Sequence, residues 1–285
     1  MTKEHFYISE NSLDFTGDSY YEEIIETQIT NQETLIELGR GTEIVFENEK
    51  LIEVYEYYED NRDIYRRKRE IAPNELNYRK PIYQPKSILK SIISTSGLHQ
   101  IGGDFSDDFY RPSEKISTSF QYLGYINNED PTFSWLPYKL HLTYPIYLAA
   151  EILFLDYSDN KKPKLFNLDE LLKCSPILDE VDINSEISFI PQNFNFQPSN
   201  NYCLEINSGI PNWIQGHYIP KCPKSGKRMQ FVCQIYNGSQ TEKSNIVPAS
   251  DWNKNYFEKM EFFGADLYIF IEPESNIVCM FTQGT

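Results

Sequence analysis

The residues most suited to metal binding are cysteines and a histidine in the C-terminal third of the chain. Cys203, His217, Cys222 and Cys233 fall within 31 residues. Structural zinc sites use paired ligands two to four residues apart, a spacing that this set lacks. We therefore predict no metal and no cofactor, and interpret these cysteines as buried structural thiols.

Motifs for nucleophilic or phosphate chemistry are missing from the sequence. No Gly-x-Ser-x-Gly, Walker loop or complete Gly-x-Gly-x-x-Gly after a strand occurs. Carboxylate pairs such as Asp107 with Asp108, or Asp156 with Asp159, have a spacing compatible with acid–base work or calcium binding. Since the chain has 42 acidic residues, such pairs arise by chance. We predict no catalytic residue. The chain has only four histidines to act as a base: His5, His99, His141 and His217.

Negative charge is concentrated near the N-terminus. The formal net charge is −16 over 285 residues. Residues 1–60 hold sixteen acids against three bases, which gives −13, whereas residues 61–90 carry +6 and the remainder −9. Such a field repels nucleic-acid phosphates and anionic membranes and attracts a basic protein. The alternative is a solvated acidic surface that only keeps the protein soluble.

Two groups of residues are candidates for contact with a protein partner. Glu22, Glu23 and Glu26 crowd the start of a predicted helix, beyond what the positive end of the helix dipole requires. Trp213 and Gln215 follow a glycine turn, and tryptophan is enriched at interface hot spots. Trp213 could instead pack into the core beneath that turn. We predict these five residues as the partner-binding set.

The cysteine count and the N-terminus indicate a compartment. Five widely spaced cysteines do not form a disulfide framework, so we expect reduced thiols in a cytoplasm. The first residues lack a basic region followed by an apolar stretch, which argues against a signal peptide.

Hydrophobic periodicity predicts helices only in a few places. We expect helices over 18–38, 86–94 and 168–173, the last capped by Asn167. Residues 43–58 read as a strand or hairpin, and the basic run 66–70 as an exposed helix or strand edge. From residue 97 onward the chain reads as strands punctuated by proline, asparagine and glycine.

An approximate internal repeat organises the C-terminal two-thirds. A glycine turn at 101–104 precedes the apolar strand 120–128, as the turn at 207–211 precedes the strand 229–237. A later apolar strand ends in an acid in both copies, at Asp156 and at Glu272. We predict an α+β, β-rich fold of two similar halves, with antiparallel sheets and a few helices. The predicted domains are an acidic α/β region, 1–95, packed on the core, and a domain, 96–285, with repeats at 97–160 and 203–275.

The second copy resembles a known family. Its residues 209–215 (Gly-Ile-Pro-Asn-Trp-Ile-Gln), followed by Cys222-Pro223, 229–231 (Met-Gln-Phe) and Gln234-Ile235, are similar to the YwqG-like family, a bacterial domain of unknown function. Residues 264–270 and 99–103 look like its closing strand and its earlier glycine turn, so the resemblance covers about 97–285. It implies an α+β protein of two similar halves with no established enzymatic activity. Related segments often carry Cys-x-x-Cys, whereas this chain has Cys222-Pro223-Lys224-Ser225.

These observations together favour a protein-binding module over an enzyme. Because some members of the resembled family look like immunity proteins encoded beside secreted toxins, we expect a cytoplasmic immunity protein that occludes a basic toxin. Two alternatives remain open: a hydrolase or small-ligand-binding protein that uses a cleft between the two halves, and a scaffold without a tight partner.

Overall fold

A computed structural model describes residues 3–9, 29–30, 32, 36, 41–48, 50–73, 88–199, 201–215 and 218–284. Strands make up 49% and helices 7% of the structure, and the sheets are antiparallel, which confirms the β-rich prediction. The chain divides into two compact units, Met1–Ile88 and Leu89–Thr285. The sequence had placed this boundary at residue 95. No described helix is both long enough and apolar enough to cross a bilayer.

The first unit contains a five-stranded antiparallel sheet in the order β2-β1-β3-β4-β5. The strands are β1 (Glu4–Ser9), β2 (Ile29–Thr30), β3 (Gly41–Glu47), β4 (Lys50–Asp60) and β5 (Asp63–Arg69). β3 and β4 form the hairpin predicted over 43–58, and β5 places the basic run on the sheet edge, also as predicted. Phe6, Phe46 and Val54 are fully buried at its core.

The predicted helix over 18–38 is wrong at Ile29–Thr30, which pair with β1 as strand β2. Both residues are β-branched, and their stiff side chains favour an extended backbone. Most of the remaining predicted helix lies outside the described residues, including Glu22, Glu23 and Glu26.

The basic edge strand is neutralised by carboxylates of the neighbouring strands. Arg66 donates two hydrogen bonds, of 2.7 and 2.9 Å, to the buried Glu43 carboxylate. Burial raises the pKa of Glu43, but hydrogen bonds from Arg66, His5 and Tyr57 outweigh it, so the net pKa is lowered. Lys68 pairs with Glu53 at 2.8 Å. These acids therefore stabilise the sheet and add little to an outward negative field.

The second unit contains a sheet in the order β11-β10-β18-β17-β14-β13-β6-β12-β7-β8-β9, with β15 and β16 branching from β12. Its first strands are β6 (Ile88–Ile93), β7 (His99–Gly103), β8 (Gln121–Ile126), β9 (Leu140–Tyr144), β10 (Ile152–Asp156), β11 (Lys164–Leu165) and β12 (Ile187–Ser199). The later strands are β13 (Ile206–Ser208), β14 (Gln230–Ile235), β15 (Asn237–Ser244), β16 (Lys259–Glu261), β17 (Ala265–Glu272) and β18 (Ile277–Gly284). Its helices are a 3-10 turn (Pro131–Phe133), α1 (Leu168–Leu171) and α2 (Asp251–Glu258).

The helix predicted over 86–94 is wrong, because 88–93 form strand β6, in which Leu89 pairs with Ser208 and Lys90 with Asn207. Apolar residues at 88, 89, 92 and 93 fit a helical stripe, but three of them are isoleucine, which favours strands. The helix predicted at 168–173 is confirmed as α1 over Leu168–Leu171, but the predicted side-chain cap from Asn167 is wrong, because this side chain makes no capping hydrogen bond.

Two groups of three neighbouring strands in this sheet have the same pairing register. They are β7-β8-β9 and β13-β14-β17. We call each group a meander, although β15 and β16 come between the last two strands of the second group in sequence. A bulge interrupts β8 between Tyr122 and Gly124, and β14 between Phe231 and Cys233, at matching positions. In this register β17 is equivalent to β9. The predicted repeat is therefore wrong in making β17 equivalent to residues 152–156. Three consecutive cross-strand positions match: Gln100, Tyr125 and His141 in the first meander, and Asn207, Gln234 and Tyr268 in the second.

The strand that precedes each meander in sequence pairs with the other meander. β6 precedes β7 but lies beside β13, and β12 precedes β13 but lies beside β7. β6 and β12 also neighbour each other. Outward from this central pair, β13-β14-β17 follows on one side and β7-β8-β9 on the other, and β18, β10 and β11 extend the first side only.

The hydrophobic core of the second unit lies on both faces of the sheet. Alternate side chains of β17 point to opposite faces. Leu267 and Ile269 join a large cluster, and Tyr268 and Phe270 join a smaller one. Loop residues Ile219, Cys222 and Met229 cover the smaller cluster, so the 209–229 loop is a lid over that face.

Replacing Gly124 with alanine should severely destabilise the second unit. Gly124 has φ +120°, and a Cβ there would meet the Gln100 carbonyl oxygen at 2.0 Å. We expect a loss of more than about 3 kcal/mol of unfolding free energy in urea titrations. The matched control is Gly226→Ala, with φ +70° and open space around the added methyl, which should cost about 1 kcal/mol. Equal losses would contradict the steric explanation.

Candidate protein-interaction surface

Trp213 and Gln215 lie on the loop that covers the smaller cluster. The Trp213 indole stacks on Tyr268 at 5.1 Å between centroids and 7° between planes, and it is partly buried. Gln215 is exposed, and its side-chain amide donates to the Gly284 carbonyl at 2.7 Å. Trp213 therefore contributes to core packing, whereas Gln215 faces solvent while it ties the loop to the last strand.

Side-chain amides hold this loop on the sheet. Gln234 accepts a hydrogen bond from the Asn212 N–H at 2.8 Å and donates to the Asn212 carbonyl at 3.1 Å. Gln283 accepts from the Ile214 N–H at 3.2 Å. Asp266 lies against the Gln234 amide, and burial raises the pKa of its carboxyl more than that hydrogen bond lowers it. The loop is thus fixed by groups inside the protein.

The first meander has an aromatic stacking contact equivalent to that of Trp213 on Tyr268. Phe109, from the loop between β7 and β8, stacks on His141 at 4.9 Å and 11°. His141 occupies the register position that Tyr268 occupies in the second meander. In both cases a loop aromatic ring covers the third strand, which places Phe109 and Trp213 in the same structural role.

His141 has the environment of a neutral imidazole. Its Nδ1 lies 2.7 Å from the Tyr122 hydroxyl. Burial, helped by the Lys139 ammonium, lowers the pKa of His141 to about 4. Burial also raises the pKa of Tyr122, so the phenol keeps its proton beside the neutral imidazole. Among the described residues no thiol or serine hydroxyl bonds to His141. The pair does not form a nucleophile–base arrangement.

His99 is sealed inside the core. The Asn127 backbone N–H donates to His99 Nδ1 at 3.1 Å, so Nε2 carries the proton and donates to Asp130 at 3.0 Å. The rings of Phe133, Phe194 and Phe196 pack around it. These hydrogen bonds join β7 to the turn before the 3-10 helix. Because the imidazole is fully buried, a substrate cannot reach it.

The candidate zinc ligands do not converge in the described part of the chain. Cys222 and Cys233 are buried, and Cys233 belongs to the large cluster while Cys222 belongs to the smaller one. His217 lies outside the described residues. Within the described ranges no three His, Cys, Asp or Glu side chains could share a metal ion.

Four large apolar side chains are exposed on two adjoining segments, 177–183 and 245–253. Val247 is 83% exposed and Trp252 70%, while Ile177 and Ile183 are 42% and 39% exposed. We call these four residues the Trp252 surface. Apolar side chains exposed on segments that are held side by side are typical of interaction sites, and tryptophan is enriched at interface hot spots.

The two segments are held together by hydrogen bonds, so the surface is preorganised. The Glu180 carboxylate accepts from the Ala249 N–H at 2.8 Å and from the Asn253 amide at 2.6 Å. The Asn245 side chain accepts from the Glu186 N–H at 2.8 Å. Ser250 caps α2 by accepting from the Asn253 N–H at 3.1 Å, which fixes Trp252 in the first turn of that helix.

Carboxylates lie along the same segments. Residues 177–186 contain four acids and no base. Asp179, Asp182 and Asp251 are exposed, whereas Glu186 pairs with Lys243 at 3.0 Å. The Trp252 surface is therefore apolar with a negative surround, complementary to a basic partner.

Sequence reasoning did not find this surface. Its apolar residues are distributed over two segments more than sixty residues apart, which the pairing of β12 with β15 and the hydrogen bonds described above bring together. One local signal was present: Trp252 lies in the otherwise polar stretch 250–255. A large aromatic residue with no apolar neighbours indicates an exposed position.

Comparisons of the chain with protein-family models, curated proteins and solved structures find no match. The YwqG-like resemblance therefore stays a prediction.

Unfolding free energy should fall as the pH drops from 6.5 toward 4 through His141. The folded pKa of about 4 lies below the unfolded value of about 6.5, so the unfolded state takes up the proton first. The contribution of the neutral His141 imidazole to the unfolding free energy is fully present above pH 6.5 and is lost as the pH falls toward 4. This loss amounts to about 2 kcal/mol after allowance for partial exposure. His141→Gln should flatten this part of a urea-denaturation pH series.

Leu204→Ala is the control for that series, because it removes an exposed side chain and retains the titrating imidazole together with its Tyr122 partner. It should keep the pH dependence of the unmodified chain. An unchanged slope in His141→Gln would contradict the assignment.

Proposed function

We propose that this chain is a non-catalytic protein-binding module for a basic partner. The observation that carries the proposal is the Trp252 surface, with its exposed Trp252 and Val247 and neighbouring carboxylates. A rigid tryptophan on a capped helix loses little conformational freedom on binding. The carboxylates would orient a basic protein and disfavour acidic ones.

The partner class is a basic protein such as a nuclease-type toxin, which the chain would occlude in the cytoplasm as an immunity protein. The net charge of −16 supports this assignment. Pairing of Glu43, Glu53 and Glu56 with cations in the first sheet limits the acids available for steering. Nine of the sixteen acids in residues 1–60, among them Glu22, Glu23 and Glu26, lie outside the described residues.

The second unit consists, in this proposal, of two similar halves derived by duplication. The shared register, the matched bulges and the equivalent stacking of Phe109 and Trp213 support it. Positive φ angles at Gly102 and Gly209, +74° and +80°, fall at equivalent positions. In this proposal the two halves form the structural scaffold, and segments 177–183 and 245–253 bind the partner.

Trp252→Ala should weaken partner binding about thirtyfold or more without unfolding the protein. Truncating a central aromatic hot spot costs about 2 kcal/mol or more, which is roughly thirtyfold in Kd. Because Trp252 is 70% exposed, the unfolding free energy should change by less than about 0.5 kcal/mol. Calorimetric titration with a partner captured from the native cell and identified by mass spectrometry measures the effect.

The matched control for that experiment is Leu204→Ala. Leu204 is 72% exposed and lies outside the Trp252 surface, so its removal should leave the affinity unchanged. Equal losses in both variants, or no loss in Trp252→Ala, would count against the surface.

Neutralising Glu22, Glu23 and Glu26 together to glutamine should slow association severalfold at low salt. The effect should vanish near 0.5 M salt, because screening removes long-range steering, and dissociation should not change. Stopped-flow association rates over a salt series measure it. The control neutralises Asp107, Asp108 and Asp159, which are exposed. If both triple variants slow association equally, net charge and not the N-terminal position is responsible.

A further inference from the structure

An open groove of about 360 Å³ lies beside the smaller cluster, at the β10 edge of the sheet. Phe154 of β10 contributes to the groove, with the 166–170 segment on one side and Pro223 of the covering loop on the other. Phe154 packs on the smaller cluster and stays partly exposed. The groove is separate from the residues of the Trp252 surface.

The 166–170 wall is fixed to β10 by its own hydrogen bonds. Asn167 accepts from the Phe154 N–H at 2.9 Å and donates to the Ile152 carbonyl at 3.1 Å. The Phe166 N–H donates to the Phe154 carbonyl at 2.9 Å. Asn167 stands at the N-cap position of α1 but makes no capping bond to that helix; its amide is used for the strand edge. The groove is therefore a preformed feature of the sheet edge.

Two aromatic rings and two carboxylates line this groove. Phe154 and Phe166 supply the rings, and Asp169 and Glu170, both exposed, supply the charge. An aromatic face attracts a cation, and a carboxylate pairs with one. The nearby Lys224 is engaged elsewhere: its ammonium lies 3.7 Å from Asp156 and 3.3 Å from the Ser275 carbonyl.

We infer that this groove binds the side chain of an arginine presented by a partner polypeptide. A guanidinium is planar, so it can stack on a phenyl ring while its N–H groups reach carboxylates; a lysine ammonium offers only a point charge. The groove is too open to enclose a free small molecule, which normally loses most of its surface to a pocket. A side chain tethered to a larger partner does not need that enclosure.

The inference is tested on the full chain with the peptide acetyl-Gly-Arg-Gly-amide, by NMR chemical-shift titration at low salt. We expect weak binding, with shifts at Phe154, Phe166 and Asn167. The same peptide with citrulline in place of arginine keeps the shape and loses the charge, and it should bind about tenfold more weakly. Phe166→Leu, which removes a ring from an exposed position, should weaken the arginine peptide severalfold.

The charge requirement is tested with Asp169→Asn combined with Glu170→Gln, which should weaken the arginine peptide about tenfold. Gln retains a side-chain oxygen that can accept the hydrogen bond from the Asn167 amide, observed at 3.1 Å. The matched control is Asp107→Asn with Asp108→Asn, which removes the same charge from exposed positions on the loop between β7 and β8 and should have no effect.

Three results would overturn the inference: no binding of the arginine peptide up to about 10 mM, equal affinity for the citrulline peptide, or equal weakening by the control pair. Trp252→Ala should leave the peptide affinity unchanged. The experiments therefore test arginine binding in the groove independently of partner binding at the Trp252 surface.

Discussion

Asn and Gln side-chain amides tie the loops of the second unit to its sheet, because each donates to a backbone carbonyl and accepts from a backbone N–H as a neighbouring strand would. A sheet covered on both faces by loops buries backbone groups that have no strand partner, and each needs a hydrogen bond. Gln121 is fully buried, accepts from the Ile146 N–H and donates to the Ser119 carbonyl. Asn207 does the same with both backbone groups of Cys203, at 2.8 and 2.7 Å. The loop of Trp213, the wall of the groove and the segments of the Trp252 surface are attached by this same device.

These hydrogen bonds attach to the sheet the segments that carry the candidate sites, although these segments lie mostly outside the strands. A loop anchored by one amide that both donates and accepts cannot slide along the sheet without losing two hydrogen bonds, of about 1 kcal/mol each. The side chains that it carries are then presented in a fixed direction. Binding by such segments needs little ordering, which favours affinity for a given contact area.

The sequence predicted strands well where local pattern and tertiary role agree. The hairpin over 43–58 and the strands at 121–126 and 230–235 follow from β-branched and aromatic runs bounded by turns. The strand at 88–93 was missed because its apolar spacing suits a helix equally, and only its pairing with β13 decides between them. Charge was misleading for a related reason: a count of acids does not show that Arg66 already neutralises Glu43. Glu180 likewise looks like a solvated acid in sequence, yet it joins two segments 69 residues apart.

The crossed pairing of β6 and β12 has a consequence for how the second unit folds. Leu89 must find Ser208, 119 residues further along the chain, before the inner edge of the second meander is closed. Each meander has as its inner neighbour a strand that precedes the other meander in sequence, so early structure in one meander exposes an open strand edge until that distant strand arrives. Such non-local closure predicts slow folding, since loop-closure entropy opposes the pairing until late. It also predicts that a chain cut between β9 and β12 yields two fragments that acquire structure only together.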